Sequence, residues 1–383
     1  MQQQDISIFF ALLRSAVGGE PLSQAELAAC SPERLPALIK LAKLHDLEHL
    51  LALGLRQNHL QPEEAKALEK GMFLAVLRQQ RQEDALKRLC DALEAGKIPF
   101  IPLKGAVLRQ YYPEPWMRTS CDIDILVKQV DAQRAAALLE ERCGCIRQGT
   151  GSHDISLFTP NKTHLELHYT LHEEIQALPV NSVLATVWDG VTLRQGSSFH
   201  YEMPDDLFFF YHIAHMAKHI TIGGCGIRPF LDLWIMDRSG IGNGDALLHQ
   251  GGLLRFSRVA RALCGVWFEN AAPDPATQQL EDYILRGGVY GSSENHIAVQ
   301  QQKQGGRLRY LLSKIFLPFD TIKYHYPVLQ KHPWLMPVMQ VRRWCKLLFC
   351  GHARRVTRQV AYGWQITGEA EEKTKIFLKN IGL

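Results

Sequence analysis

The run Cys121-Asp122-Ile123-Asp124-Ile125-Leu126-Val127 constrains this chain more than any other segment. Acid and aliphatic residues alternate, and then the run turns wholly aliphatic. A side-chain period of two places Asp122 and Asp124 on one strand face and Ile123, Ile125 and Val127 on the other. Its apolar end belongs inside a sheet. The two carboxylates at its start, about 7 Å apart, repel each other unless a cation sits between them. Oxygen donors in a compact cluster suit Mg²⁺, which takes one or two carboxylates together with substrate phosphates. Glu166, in Leu165-Glu166-Leu167, has the same context on a second expected strand. With the two strands adjacent, three carboxylates meet on one face, enough to hold two metal ions for in-line phosphoryl or nucleotidyl transfer. The plain alternative at this point is a solvated strand face.

Around this block the pattern is helical. Residues 1–95 read as successive helices. Ser31-Pro32 gives a start signal with Ser as N-cap and Pro at N1, and Pro62-Glu63-Glu64 opens a later helix. Residues 96–200 change texture. Ile98 to Leu103 is a short strand closed by Lys104-Gly105, and Ala106 to Tyr112 is a short helix. Ala132 to Arg142 is a helix capped by Asp131. Ile155–Phe158 and His164–Tyr169 form a hairpin about Thr159-Pro160-Asn161-Lys162. From Pro204 helices return over 201–302, with Asp205–Lys218 and Pro229–Ser239 as two of them, and a basic helical region follows at 303–383. The expected fold class is α+β: a mainly helical chain with a small mixed sheet, in four segments of 1–95, 96–200, 201–302 and 303–383.

The chain has 383 residues, 46% hydrophobic and 21% charged, which excludes a disordered or collagen-like chain. Nine scattered cysteines without a CxxC pair argue against a zinc ribbon or disulfide framework, so reduced thiols in a cytoplasmic protein are expected. No signal peptide and no apolar stretch long enough to span a membrane is read. The net charge of +4 conceals a split: residues 303–383 hold 15 Lys and Arg against 4 Asp and Glu, or +11, leaving −7 for the rest. Arg342-Arg343-Trp344, Lys346 and Arg354-Arg355, interleaved with apolar residues, offer a surface for RNA or an anionic membrane. A basic face packed on the acidic N-terminal helices is the structural alternative.

Further residues gather around the acids. Lys104 and Gly105 close a strand-to-helix turn whose backbone N–H groups suit phosphate. Arg118 and Ser120 precede the acid pair and are placed to reach phosphate oxygens. Leu103-Lys104-Gly105, Arg118-x-Ser120-x-Asp122-Ile123-Asp124-Ile125-Leu126-Val127 and His164-Leu165-Glu166-Leu167-His168 together resemble the DNA polymerase β-type nucleotidyltransferase superfamily. The closer resemblance is to its bacterial branch of uncharacterised nucleotidyltransferases. The core likeness spans about 100–172. A looser one continues through Pro204, Leu207, His215, His219, Arg228 and Asp232, and through Tyr326-Pro327 and Pro337–Arg342. The resemblance implies Asp122 and Asp124 as metal ligands, and Glu166 as the third acid that helps to deprotonate the attacking hydroxyl. The implied cofactor is Mg²⁺, as two ions, with Mn²⁺ as the alternative. The implied partners are an NTP donor and an unidentified acceptor: small molecule, protein or tRNA. The superfamily turn carries Gly-Ser or Gly-Gly, whereas this chain has Gly105-Ala106. The usual hydroxyl is absent, and Lys104 is expected to supply charge instead.

Weaker signals complete the reading. His215 and His219 share a helix face at i and i+4, with Lys218 beside them. Contact with the nucleotide and ordinary packing both remain open for these three, and zinc is disfavoured because no HExxH glutamate is present. His168 shares a face with Glu166 and borders the site, and Asp154 is a spare acid in the same hairpin. Thr221–Arg228 reads as a helix–helix connection, and Arg228 with Asp232 as an ion pair at i and i+4. Two further functional readings stand beside the enzyme: a nucleotide- or partner-binding module without turnover, and a toxin-like enzyme acting on tRNA.

Overall fold

A computed structural model describes residues 2–60, 66–173, 175, 178–289, 291, 328–349 and 368–383, with single positions between 299 and 326. The start signal at Pro62-Glu63-Glu64 and the pair Arg354-Arg355 lie outside the described residues. The helices before the sheet are α1 (Gln3–Gly18), α2 (Gln24–Ala29), α3 (Leu35–His45), α4 (Glu48–Gln57) and α5 (Lys66–Ala95). Next come β1 (Phe100–Pro102), the one-turn α6 (Gly105–Leu108), β2 (Asp122–Val127), α7 (Ala132–Cys143), β3 (Ile146–Thr150), β4 (Asp154–Phe158) and β5 (His164–His168). The short elements α8 (Val180–Leu184), α9 (Val187–Gly190), β6 (Thr192–Leu193) and β7 (Tyr201–Glu202) lead to α10 (Asp205–Ile222), α11 (Arg228–Arg238), α12 (Asp245–Gln250), α13 (Leu254–Phe268) and α14 (Pro275–Gly287). Three described helices follow: α15 (Val328–Lys331), α16 (Met336–Phe349) and α17 (Gly368–Ile381). The architecture is the expected α+β, a small mixed sheet flanked by helices.

Strand order is β1-β2-β5-β4-β3. The β4–β5 hairpin forms with its turn where the Pro160-Asn161 signal lies, and Lys162 there adopts a positive φ. Strands β2 and β5 are parallel, pairing Asp122 with His164, Asp124 with Glu166 and Leu126 with His168. Strand β3 was not foreseen. Ile146-Arg147-Gln148-Gly149-Thr150 is polar and carries a glycine, a composition that only an exposed, bulged edge strand tolerates.

One sheet face is sealed. Ile123, Ile125, Val127, Ile155, Leu157, Leu165 and Leu167 are buried against Leu89 and Leu93 of α5 and Ala135, Ala136 and Leu139 of α7. Each large aliphatic so buried contributes about 2 kcal/mol. The other face is covered only in part, where Ile101, Leu103 and Leu126 join a larger core built from α1, α3, α4, α10, α11 and α13. Helices of the 1–95 and 201–302 segments thus share one core: Phe10 of α1 stacks on Trp267 of α13 at 4.2 Å. The uncovered part of that face is where the acids lie.

Two local expectations change. Ser31 occupies an N-cap position, but its side chain makes no cap bond. Pro32 starts a 3₁₀ turn that feeds α3. Asp131 likewise makes no cap bond and instead faces Arg134 at 3.6 Å. The glycine-rich segment connects α10 to α11 as expected. Gly224 takes φ +123° with Gly291 packed so closely that a Cβ would lie 3.1 Å from its Cα. Among the described residues no helix is long and apolar enough to cross a membrane.

Candidate active site

The parallel pairing of β2 and β5 decides the site. It sets Glu166 directly beside Asp124, so the three carboxylates Asp122, Asp124 and Glu166 share one face. Asp154 sits opposite His168 on β4, on the far side of β5 from Asp124. Oxygen and nitrogen donors converge in two overlapping sets, Asp122–His164–Glu166 and Asp124–Glu166–His168, each with its ligand atoms within 4.8 Å of one another.

Asp124 is buried and heavily compensated. Its Oδ1 accepts from Lys104 Nζ at 2.8 Å and from His168 Nε2 at 2.9 Å. Burial favours the neutral acid, but Lys104 and His168 outweigh it and hold the carboxyl well below the usual range. His168, also 3.4 Å from Glu166, is raised above its ordinary value because these two acceptors outweigh its burial. Glu166 is lowered, chiefly by its bond from His168. Asp122 is the exception. Among the described residues it forms no ion pair. Burial, then the charge on Asp124, pushes its carboxyl up, and Lys104 only partly offsets this. A divalent cation would relieve that repulsion, and the donor set of carboxylates with flanking histidines fits one.

Lys104 reaches Asp124 because of its backbone. It lies in the turn between β1 and α6 with φ 47° and ψ −120°, a conformation that favours glycine and costs a lysine of order 1–3 kcal/mol. The next residue is glycine for a different reason. A Cβ on Gly105 would lie 3.2 Å from Arg118 Nη1 and 3.3 Å from Ser120 Oγ.

Arg118 and Ser120 therefore stand behind the turn rather than in the open cleft. Arg118 donates from Nε and Nη2 to Asp232, each at 2.9 Å, and from Nη1 to Thr119 O at 2.8 Å. Tyr112 donates to the same carboxylate at 2.7 Å. Ser120 donates to Gln82 at 2.9 Å and accepts from Arg109, whose Nε in turn bonds the Gly105 carbonyl. The expected Arg228–Asp232 pair is not formed. Asp232 is spent on Arg118 and Tyr112 in the core, and Arg228, at the start of α11, reaches Asp46 at 2.7 Å. The desolvated two-point contact with Arg118 outcompetes an i, i+4 neighbour.

Facing the acids across a cleft of about 290 Å³ is a second cluster. His215 and His219 lie on α10 with Lys218, as the spacing anticipated, and all three line the cleft with Lys104, Asp122, Glu166 and His168. Their partner, Glu173, was missed. It is buried, its Oε1 lies 2.9 Å from His215 Nδ1, and its Oε2 lies 2.8 Å from Lys218 Nζ. Burial raises a carboxyl, but His215 and Lys218 outweigh it and bring Glu173 down to about 2. The residue stands in an aperiodic stretch after β5, so no pattern marked it. The adjacent acids Glu173-Glu174, a few residues beyond the strand, were the only signal. Tyr211 and His153 complete the wall, with His153 stacked on His168 at 6.2 Å.

Only part of the basic region 303–383 is described. Among the described residues, α17 contacts α13 and α14, and Arg342 and Arg343 lie over Tyr326 and Trp344.

Residues 31–269 match the family described as an uncharacterised nucleotidyltransferase, a span holding every residue of both clusters. No curated protein and no solved structure matches the chain.

Proposed function

The chain belongs to the uncharacterised nucleotidyltransferase family, and from that premise we propose that it moves a nucleoside monophosphate from an NTP to a hydroxyl-bearing acceptor, releasing pyrophosphate. The observation that carries this reading is Asp122: a carboxylate with no ion-pair partner among the described residues and only partly offset by Lys104, beside Asp124 and Glu166, at the mouth of a cleft that also holds Lys104 and Lys218.

Asp122, Asp124 through its second oxygen, and Glu166 would hold Mg²⁺, with His164 and His168 at the margin. A bound divalent ion supplies charge neutralisation to the triphosphate and lowers the pKa of a bound hydroxyl. The chain's own residues do the rest. Lys104 and Lys218 draw the anionic triphosphate into the cleft. Glu166 orients the acceptor hydroxyl toward the α-phosphorus. Arg118, anchored on Asp232, and Ser120 hold the Gly105 turn in place from behind. The oxygen–phosphorus bond forms as the bond to pyrophosphate breaks, and pyrophosphate leaves with the electron pair.

The test is label transfer from α-labelled ATP, CTP, GTP and UTP into clarified cell lysate. Transfer by the wild type with loss in Asp122→Ala supports the reading, and full activity in that variant overturns it. A second reading, a nucleotide-binding module without turnover, is favoured by one observation: Lys104 and His168 already occupy Asp124 Oδ1. Binding of Mg²⁺ and ATP by the wild type without pyrophosphate release would select it. Label recovered on tRNA would instead mark an RNA acceptor.

A further inference from the structure

The cluster opposite the acids fixes where its protons lie. Glu173 is ionised, so it can only accept, and His215 must present a proton on Nδ1. Burial, then the charge of Lys104, keeps His215 neutral. Burial, then His215 and Lys218, takes His219 down to about 3. A neutral His215 protonated on Nδ1 carries a lone pair on Nε2. That atom lies 3.0 Å from His219 Nε2, so His219 must donate there. The neutral His219 ring therefore has a bare Nδ1, with no protein partner among the described residues, on a side chain that lines the cleft. This is not a metal set, since the three residues do not converge their donor atoms on one point.

We propose that His219 Nδ1 is the proton acceptor for the acceptor hydroxyl in the transfer reaction, and that His215 and Glu173 form the relay behind it. This rests on the nucleotidyl-transfer reading above. As the hydroxyl oxygen bonds to the α-phosphorus and pyrophosphate departs with the α–β bridging electron pair, the hydroxyl proton passes to His219 Nδ1. The proton on His219 Nε2 moves to His215 Nε2. The positive charge then rests on His215, 2.9 Å from the Glu173 carboxylate, and not on His219. The arrangement resembles the base–orienter logic of a hydrolase triad, with a second imidazole inserted. The groups facing the relay are Glu173 from the segment after β5, Lys104 from the β1–α6 turn, His153 from before β4, and Lys218 and Tyr211 from α10. His219 is the catalytic residue here, and His215 and Glu173 are positioning residues.

The test has two arms on the full chain. In the first, ¹⁵N-histidine protein at pH 7 is examined by long-range ¹H–¹⁵N correlation, with His215→Gln and His219→Gln identifying the signals. The expected result is two neutral rings, His215 protonated on Nδ1 and His219 on Nε2. A His219 protonated on Nδ1, or an imidazolium at either site, overturns the proposal. In the second, His219→Ala lowers label transfer from α-labelled ATP about 10²-fold or more. It leaves the affinity for Mg²⁺ and ATP unchanged and is partly rescued by added imidazole. An unchanged rate, or a loss that appears wholly as weaker ATP binding and is not rescued, overturns the base role. If the wild type transfers no label at all, the nucleotidyl-transfer reading and the base role both fall, while the first arm still decides the tautomers.

Discussion

The two walls of the cleft handle buried charge in opposite ways. On the sheet wall, register forces like charges together: Asp122, Asp124 and Glu166 share one face, and Asp122 is left with its carboxyl pushed up. On the helical wall, Glu173 is met by both His215 and Lys218 and its carboxyl is pulled down. On the first wall Lys104 and His168 balance the acids only in part, and a divalent cation would complete the balance. On the second the buried carboxylate is already met by two basic groups. On the function proposed above, the first wall would take up the anionic triphosphate and the second would relocate the proton, so the two tasks fall on opposite sides of one cleft.

The largest expected effect separates the walls by function. Asp122→Ala should lower label transfer by about 10³-fold while circular dichroism and thermal midpoint stay at or slightly above wild type. Removing a charge that is only partly offset relieves repulsion in the fold, and a marked fall in thermal midpoint would contradict that account of Asp122. Next comes the rule that buried charges on the helical side are paired. Arg118→Ala leaves Asp232 buried without its cation and should cost about 3 kcal/mol in denaturant unfolding, most of it recovered in Arg118→Met with Asp232→Leu. Equal stability of the single and double variants would break the rule.

A smaller effect appears in pH dependence. The folded-state pKa of Glu173 lies below its unfolded value of about 4.5, so its contribution is complete above that value and is lost as pH falls toward about 2. Asp122 has the opposite sign: its raised folded pKa makes its ionised form unfavourable, and acid relieves this. Glu173→Gln should therefore flatten the acid limb of the stability curve and Asp122→Asn steepen it, as followed by unfolding between pH 6 and 3. The smallest effect is at the turn. Lys104→Gly should be about 1 kcal/mol more stable than Lys104→Ala, because only glycine adopts φ 47° and ψ −120° without strain.

The legible parts of the molecule were those where a short period meets a sharp chemical contrast. The acid–aliphatic alternation of β2 was readable because a strand sorts its two faces by residue parity, and Asp122-Ile123-Asp124 leaves one assignment for a buried inner face. The β4–β5 hairpin was readable from its turn residues, and the pair His215 and His219 from helical spacing. Strand β3 was hidden by edge-strand tolerance, Glu173 by an aperiodic segment. The true partners of Arg118, Asp232 and Arg228 were hidden because each ion pair joins residues more than 100 positions apart.

By itself, then, the sequence determined which carboxylates share a face, which histidines share a helix side, and that a small sheet lies among helices, since all three follow from local periodicity. Only the tertiary structure decided that β2 and β5 run parallel in a register setting Glu166 beside Asp124. It also decided that Lys104 neutralises Asp124, that Arg118 turns to Asp232, and that Glu173 stands behind His215. Those are contacts between distant segments, chosen by which charges the packed core can satisfy, and no local pattern encodes them.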